Sequence, residues 1–282
     1  FQAQQARHAL AAAVLIGRAD ANDLAVALDK LTGARATPKL AAQMAEMFSG
    51  CKELPADAME KFEKRLFDSD TSVREVYMDA LRSCDDTLKL KIATAAIEAH
   101  AQREDESGDD PGEGSDDGDE KTVKKPESML PKHIAMARIA LKGVLAGAGD
   151  ADALDEIIKA VEGDDAELAK AAGGAYVDAF EGEALFNALE ELNNRADIAN
   201  AGLAAMEGYL AVCRRAARDK DRVMFRKAYG VAINMPLLNR NYQQRQLLMN
   251  LQAEMATIDA KDRKDQTLPP DPVLTRSDVA VK

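Results

Sequence analysis

Apolar residues recur along this chain at intervals of three or four, in short runs separated by glycine, proline and acidic turn residues. The run 22–31 places Leu24, Leu28 and Leu31 on one face and is followed by Gly33. Such spacing is typical of an amphipathic helix, and glycine often follows a helix end. The pattern therefore predicts a chain of short α-helices joined by brief turns.

The predicted helices come in pairs, and matching positions in successive pairs lie a nearly constant distance apart. Three such intervals measure 33, 32 and 33 residues: Pro38 to Thr71, Asp165 to Asp197, and Tyr176 to Tyr209. We interpret Asp165 and Asp197 as openers of second helices. A period of about 30 to 45 residues with two helices per unit is typical of an α-solenoid. We therefore predict an all-α fold, a right-handed stack of antiparallel helical hairpins with about twelve helices.

The periodic pattern stops at two places, which sets the predicted domain organisation. Residues 103–128 are rich in acidic residues and lack apolar periodicity, so we interpret them as a disordered insertion within one hairpin. Residues 263–282 contain prolines and are not periodic, which predicts an extended C-terminal tail. The rest of 1–262 is predicted to be a single α-solenoid domain.

One stretch carries a recognisable motif. Residues 70–81 read Asp-x-x-Val-Arg followed by small and apolar residues, and this resembles the second-helix signature of HEAT-type repeats. Residues 165–176 are similar but have Ala169 where the first stretch has Arg74. The resemblance implies a curved scaffold that offers a concave face to a partner. It carries over no catalytic residues.

Charge is distributed unevenly along the 282 residues. The net charge is −12, and residues 104–120 contain ten acidic and no basic residues, so the remainder carries −12 + 10 = −2. Residues 214–227 hold seven basic and two acidic residues, a local +5. A basic helix is predicted near 221–233, followed by a longer helix near 238–258. The chain shows no run of about 20 apolar residues, so no membrane span is predicted.

The basic stretch supplies most of the candidate binding residues. Its five arginines are Arg214, Arg215, Arg218, Arg222 and Arg226. With them we group four apolar or aromatic candidates, Met206, Met224, Tyr176 and Tyr209. Nucleic acid is a poor fit as ligand, because only 4% of the residues are aromatic and the acidic run opposes phosphate.

Eight methionines are predicted to face inward, and they suggest that the helices could bind an apolar ligand. They are Met44, Met47, Met59, Met78, Met136, Met206, Met224 and Met249. Flexible methionines fill gaps in a Leu/Ala core, and they also line cavities for apolar ligands.

The three cysteines, Cys51, Cys84 and Cys213, form no Cys-x-x-Cys motif. Two interpretations stay open: buried small apolar residues, or a disulfide between Cys51 and Cys84, which would indicate an oxidising compartment. The chain begins at Phe1, so an N-terminal leader removed earlier would place the protein in the cell envelope or periplasm. Otherwise we expect the cytoplasm.

Catalytic and metal-binding signatures are not found in the sequence. His8, His100 and His133 are far apart, and the common nucleophile, zinc and phosphate-loop motifs do not occur. We therefore expect no enzyme activity, no cofactor and no metal. The leading hypothesis is a non-enzymatic binding protein whose concave helical surface holds a protein or peptide. The alternative is a carrier of a lipid or sterol in a Met/Leu/Ala-lined groove.

Overall fold

The computed structural model describes residues 45, 48, 49, 51–106 and 131–265. The regular elements in these residues are all α-helices, and no strand occurs among them. The all-α class is therefore confirmed for this part of the chain. The helix predicted at 22–31, nearly all of the acidic insertion and the tail beyond 265 lie outside the described residues.

The described residues form eleven helices. We number them in chain order: α1 Ala56–Leu66, α2 Thr71–Ser83, α3 Asp86–Glu106, α4 Lys132–Gly147, α5 Ala151–Glu162, α6 Ala166–Ala179, α7 Gly182–Asn194, α8 Ala201–Asp219, α9 Arg222–Ala232, α10 Pro236–Arg240 and α11 Tyr242–Asp265.

Several boundaries differ from the sequence prediction. α3 continues to Glu106 and α11 to Asp265, past the predicted starts of the insertion and the tail, because glutamate, lysine and arginine have high intrinsic helix propensity. The predicted helix near 238–258 is divided at Asn241, whose side chain accepts a hydrogen bond from the amide of Gln244 at 3.2 Å. Asparagine favours such caps over helix interiors.

Aspartate caps explain where many helices begin. The side chains of Asp70, Asp150, Asp165 and Asp221 each accept a hydrogen bond from a backbone amide of the first turn. The role predicted for Asp197 is wrong, because α8 starts only at Ala201. Asp197 instead lies in the preceding turn, where Arg195 donates to it at 2.9 Å.

Arg74 holds the turn between α1 and α2. Its side chain is buried, with 7% exposure. The guanidinium donates to the carbonyls of Asp68 and Ser69 at 2.6 and 3.1 Å, and to the hydroxyl of Thr71 at 3.0 Å. Arg74 therefore acts structurally, by donating to three acceptors in the turn between α1 and α2.

Replacing Arg74 with lysine should lower the free energy of unfolding by about 2 kcal/mol. A single ammonium cannot reach all three acceptors with the geometry of a guanidinium fork, and a buried charged group that loses hydrogen-bond partners is costly. Urea denaturation would measure the loss. Lys64→Ala, which removes the exposed pair with Glu60, is the control and should change little. Equal effects of both variants would contradict this role.

The core of the first four helices is one continuous apolar cluster. Phe62 makes edge-to-face contacts with Phe48 and Tyr77, with ring centroids 5.3 and 5.1 Å apart. Leu81 and Leu141 are fully buried in the same cluster. Residues from α1, α2, α3 and α4 thus share a single core, although the acidic run separates α3 from α4 in sequence.

Glycines allow the backbones of α4, α6 and α8 to touch. A Cβ atom added at three of them would lie within 3 Å of a backbone oxygen on the packed neighbouring helix, α6 for α4 and α8 for α6: 2.7 Å from Ala175 O at Gly143, 2.1 Å from Asp178 O at Gly147, and 2.0 Å from Ala204 O at Gly173. Real Cβ atoms do not approach so closely, so only glycine fits these places. α6 therefore lies between α4 and α8.

The packing divides the chain into two compact units, 1–211 and 212–282. The boundary falls inside α8, and the predicted single domain over 1–262 stays a prediction. Within the described residues, none of the helices combines the length and the apolar content needed to cross a bilayer.

Candidate functional site

A tight turn at the start of the 212–282 unit brings two basic helices together. α8 ends at Asp219, and Lys220 adopts a backbone φ of 58°, in the left-handed region. The amide of Asp221 reaches back to the carbonyl of Ala216 at 2.8 Å, which satisfies an acceptor at the helix end. Asp221 then caps α9. Basic residues on both sides of the turn are thereby held near one another.

α9 buries one face and exposes the other. Its buried residues recur at helical spacing: Phe225, Ala228, Tyr229 and Ala232. The exposed residues on the other side are Val223, Arg226, Lys227 and Val231. Val223, Lys227 and Val231 are four residues apart and therefore follow one line along the helix. α9 thus presents apolar and cationic side chains side by side.

The first turns of α11 carry the same mixture. Tyr242 and Met249 are 78% and 49% exposed, and Arg245, which is also exposed, lies between them. Residues spaced by three and four share a helix face. Leu248, one residue before Met249, is fully buried.

A hydrogen bond fixes α11 against α9. The Tyr229 hydroxyl donates to the side-chain oxygen of Gln252 at 2.6 Å. Burial raises the pKa of Tyr229, the nearby Cys213 raises it further, and Arg245 opposes both. The phenol therefore stays protonated at neutral pH and keeps its role as donor, so the two helices form a stable platform for their exposed residues.

Exposed apolar side chains are concentrated in this unit. All five large ones among the described residues lie in or beside α9, α10 and α11: Val223, Val231, Leu237, Tyr242 and Met249. Single exposed apolar residues are ordinary, so the notable feature is that all five lie in one unit. The exposed Arg226, Lys227, Arg240 and Arg245 lie on the same three helices, and we call these nine exposed residues together the cationic-apolar surface.

The charge of the unit agrees with this surface. Residues 212–282 contain 14 basic and 8 acidic residues, a net charge of 14 − 8 = +6. Residues 1–211 then hold 37 − 14 = 23 basic and 49 − 8 = 41 acidic residues, a net charge of −18. The C-terminal unit is therefore the cationic part of an acidic protein, and its field favours anionic partners.

The five predicted arginines all lie in this unit. Arg226 is exposed, whereas the other four are partly exposed: Arg214, Arg215, Arg218 and Arg222. Arg218 donates to Asp219 at 2.9 Å, and all five take part in contacts within the chain. A partner's carboxylates would add to these contacts or exchange with them. Met224, on the same helix as Arg222, is half-buried.

The remaining predicted residues lie in the core of the 1–211 unit. Tyr176, Met206 and Tyr209 are all buried, and burial is the main cause that raises the pKa of both tyrosines. They do not share a surface exposed to solvent. A binding role for these three residues applies only to a ligand held within the helices, and it stays a prediction.

The cysteines and the candidate metal ligands give no further site. The thiols of Cys51, Cys84 and Cys213 are all free, the first half-buried and the other two buried. A Cys51–Cys84 bond stays a prediction. Within the described ranges, no group of three or more His, Cys, Asp or Glu residues could hold a metal ion.

Sequence reasoning missed the apolar members of the surface. Met249 was predicted to face inward and is exposed, because α11 buries the face that contains Leu248 and Met255 instead. Val223 carried a usable signal, since it lies two residues before the buried Phe225 and thus off the buried face. Leu237 and Tyr242 lie at the starts of α10 and α11, where apolar spacing does not predict which side chains are exposed.

Comparison of this chain with protein-family models, with curated proteins and with solved structures gives no match.

Proposed function

We propose that this chain is a non-enzymatic helical-repeat protein that binds a protein or peptide segment carrying both acidic and apolar side chains. The observation that carries the proposal is the cationic-apolar surface. All five exposed large apolar residues of the described chain lie in the cationic unit 212–282. Arginine forks pair with carboxylates bidentately, and exposed tyrosine and methionine are typical of protein interfaces.

The proposed architecture is a HEAT-like α-solenoid. Its support is the order of neighbours in the 1–211 unit, where α6 touches α4 on one side and α8 on the other. These are second helices of successive predicted hairpins, and in a solenoid such helices lie side by side. A stack of this kind would leave one flank free for a partner, the concave face expected from the sequence.

The two kinds of side chain would serve different parts of recognition. Tyr242 and Val223, at 78% exposure each, offer apolar area whose burial favours binding by about 25 cal/mol per Å². The arginines and lysines attract an acidic segment and select against basic ones. Affinity would therefore depend on both the acidic and the apolar residues of the partner.

A fluorescein-labelled peptide in which Glu and Asp alternate with Leu and Phe tests this proposal. Its binding to the full chain is measured by fluorescence anisotropy. The double variant Tyr242→Ala with Val223→Ser should weaken binding at least tenfold, the equivalent of about 1.4 kcal/mol. Both side chains are exposed, so folding should be unaffected. Raising the salt concentration should also weaken binding.

Two controls make the result decisive. Lys64→Ala, in the other unit, should bind like the wild type, and a peptide with Lys in place of Glu and Asp should not bind. Equal binding by wild type and double variant, or no binding at all, would refute the proposal. A stoichiometric lipid or sterol in an organic extract of the purified protein would favour the carrier alternative instead.

A further inference from the structure

Cys51 and Cys84 lie on backbone segments that are hydrogen-bonded to each other. The amide of Asp85 donates to the carbonyl of Cys51 at 2.9 Å. The α-carbons of Cys51 and Cys84 are each two covalent bonds from an end of this hydrogen bond. Their separation is therefore of the order found across disulfides, roughly 4.4–6.8 Å.

The two side chains also share one environment. Cys84 is buried in the core cluster of α1 to α4, and Cys51 packs against that cluster from its edge. The thiols donate only to carbonyls of their own segments, Cys51 to Glu53 at 3.2 Å and Cys84 to Ala80 at 3.4 Å. Burial raises the pKa of Cys84 to about 12, and the charge of Cys51 adds to that rise, which is consistent with neighbouring sulfur atoms.

We propose that Cys51 and Cys84 form a disulfide under oxidising conditions, and that this bond closes the α1–α2 hairpin. With a small-molecule disulfide as oxidant, the more accessible Cys51 thiolate attacks one sulfur of the oxidant and releases one thiol. The Cys84 thiolate then displaces the second thiol from the mixed disulfide. Two protein thiols are oxidised, one oxidant disulfide is reduced, and the two thiol protons pass to the released thiolates.

Cys213 stays outside this reaction. Its side chain is fully buried, so a small-molecule disulfide in solution does not reach its sulfur atom. The new bond would enclose 84 − 51 − 1 = 32 residues, which include α1 and α2. A loop of this length restricts the unfolded chain and therefore stabilises the folded one.

The proposal is tested by treating the full chain with oxidised glutathione. The remaining thiols are then counted in denaturant, and a non-reduced digest is analysed by mass spectrometry. Of the three cysteines, only 3 − 2 = 1 thiol should remain, and the linked peptides should contain Cys51 and Cys84. The oxidised protein should melt roughly 5–10 °C higher than the reduced one.

Matched variants separate this pairing from other oxidation. Cys213→Ala should still form the bond and leave no free thiol. Cys51→Ala should keep two thiols and show no oxidant-dependent shift in melting temperature, and this partly exposed site should tolerate alanine. Three thiols remaining after oxidation, or a bond that involves Cys213, would overturn the proposal.

Discussion

Replacing Gly173 with alanine should destabilise the protein by about 3 kcal/mol, the largest effect we expect from adding a single methyl group. The new Cβ would lie 2.0 Å from the carbonyl oxygen of Ala204 and 2.7 Å from its carbonyl carbon. Backbone atoms of a packed helix cannot turn aside as a flexible side chain can, so α6 and α8 must separate. The midpoint of thermal or urea denaturation would measure the loss.

The next residue provides the control. A Cβ added at Gly174 meets nothing within 4 Å, although the two glycines share a helix and differ by one position. Gly174→Ala should therefore stabilise the protein by about 0.5–1 kcal/mol, the ordinary gain of alanine over glycine in a helix. If both variants shifted the midpoint in the same direction and by similar amounts, the close approach of α6 and α8 would be refuted.

Replacing Asp178 with alanine should lower the free energy of unfolding by about 3 kcal/mol, the second of the two largest effects that we expect. Arg82 donates from Nε at 2.9 Å and from Nη2 at 2.7 Å to this carboxylate, which is only 5% exposed. Burial lowers the pKa of Arg82, but Asp178 and Asp79 together raise it above its ordinary value. The guanidinium therefore stays charged, and without Asp178 it keeps its hydrogen bond to Asp79 at 3.0 Å. Urea denaturation would measure the effect.

A second arginine–aspartate pair with similar geometry serves as the control. Arg195 donates to Asp197 from Nε and from Nη2, both at 2.9 Å, but these side chains are 43% and 65% exposed. Asp197→Ala should leave stability almost unchanged, because solvent screens exposed pairs. The double variant Arg82→Ala with Asp178→Ala should lose less than the sum of the single variants. Strict additivity would show that the pair is not coupled.

The sequence predicted the helices well because their signals are local. Apolar spacing located the helices of 56–83 and 131–194, and aspartates such as Asp70 and Asp165 marked their starts. Asp197 failed as such a marker because the same side chain can pair with Arg195 in a turn. The local sequence contains no signal that Arg82 would donate a hydrogen bond to Asp178, 96 residues away.

The candidate site was predictable only in part. The basic cluster is visible in the sequence, since charge can be counted, and Arg226 is exposed as expected for a binding residue. The apolar half of the surface depends on which side of α11 is buried, and tertiary packing decides that side, with Leu248 and Met255 buried and Met249 exposed.

The shared core has a consequence for a chain cut anywhere between 107 and 130. Leu141 and Val144 of α4 are buried with Phe62 and Leu81, and Arg82, which precedes the acidic run, donates to Asp178, which follows it. Peptide-bond continuity across the acidic run is thus not what unites the segments before and after it. Two separate polypeptides would retain the same mutual contacts, which makes this run a natural place to split the protein or to insert a foreign domain.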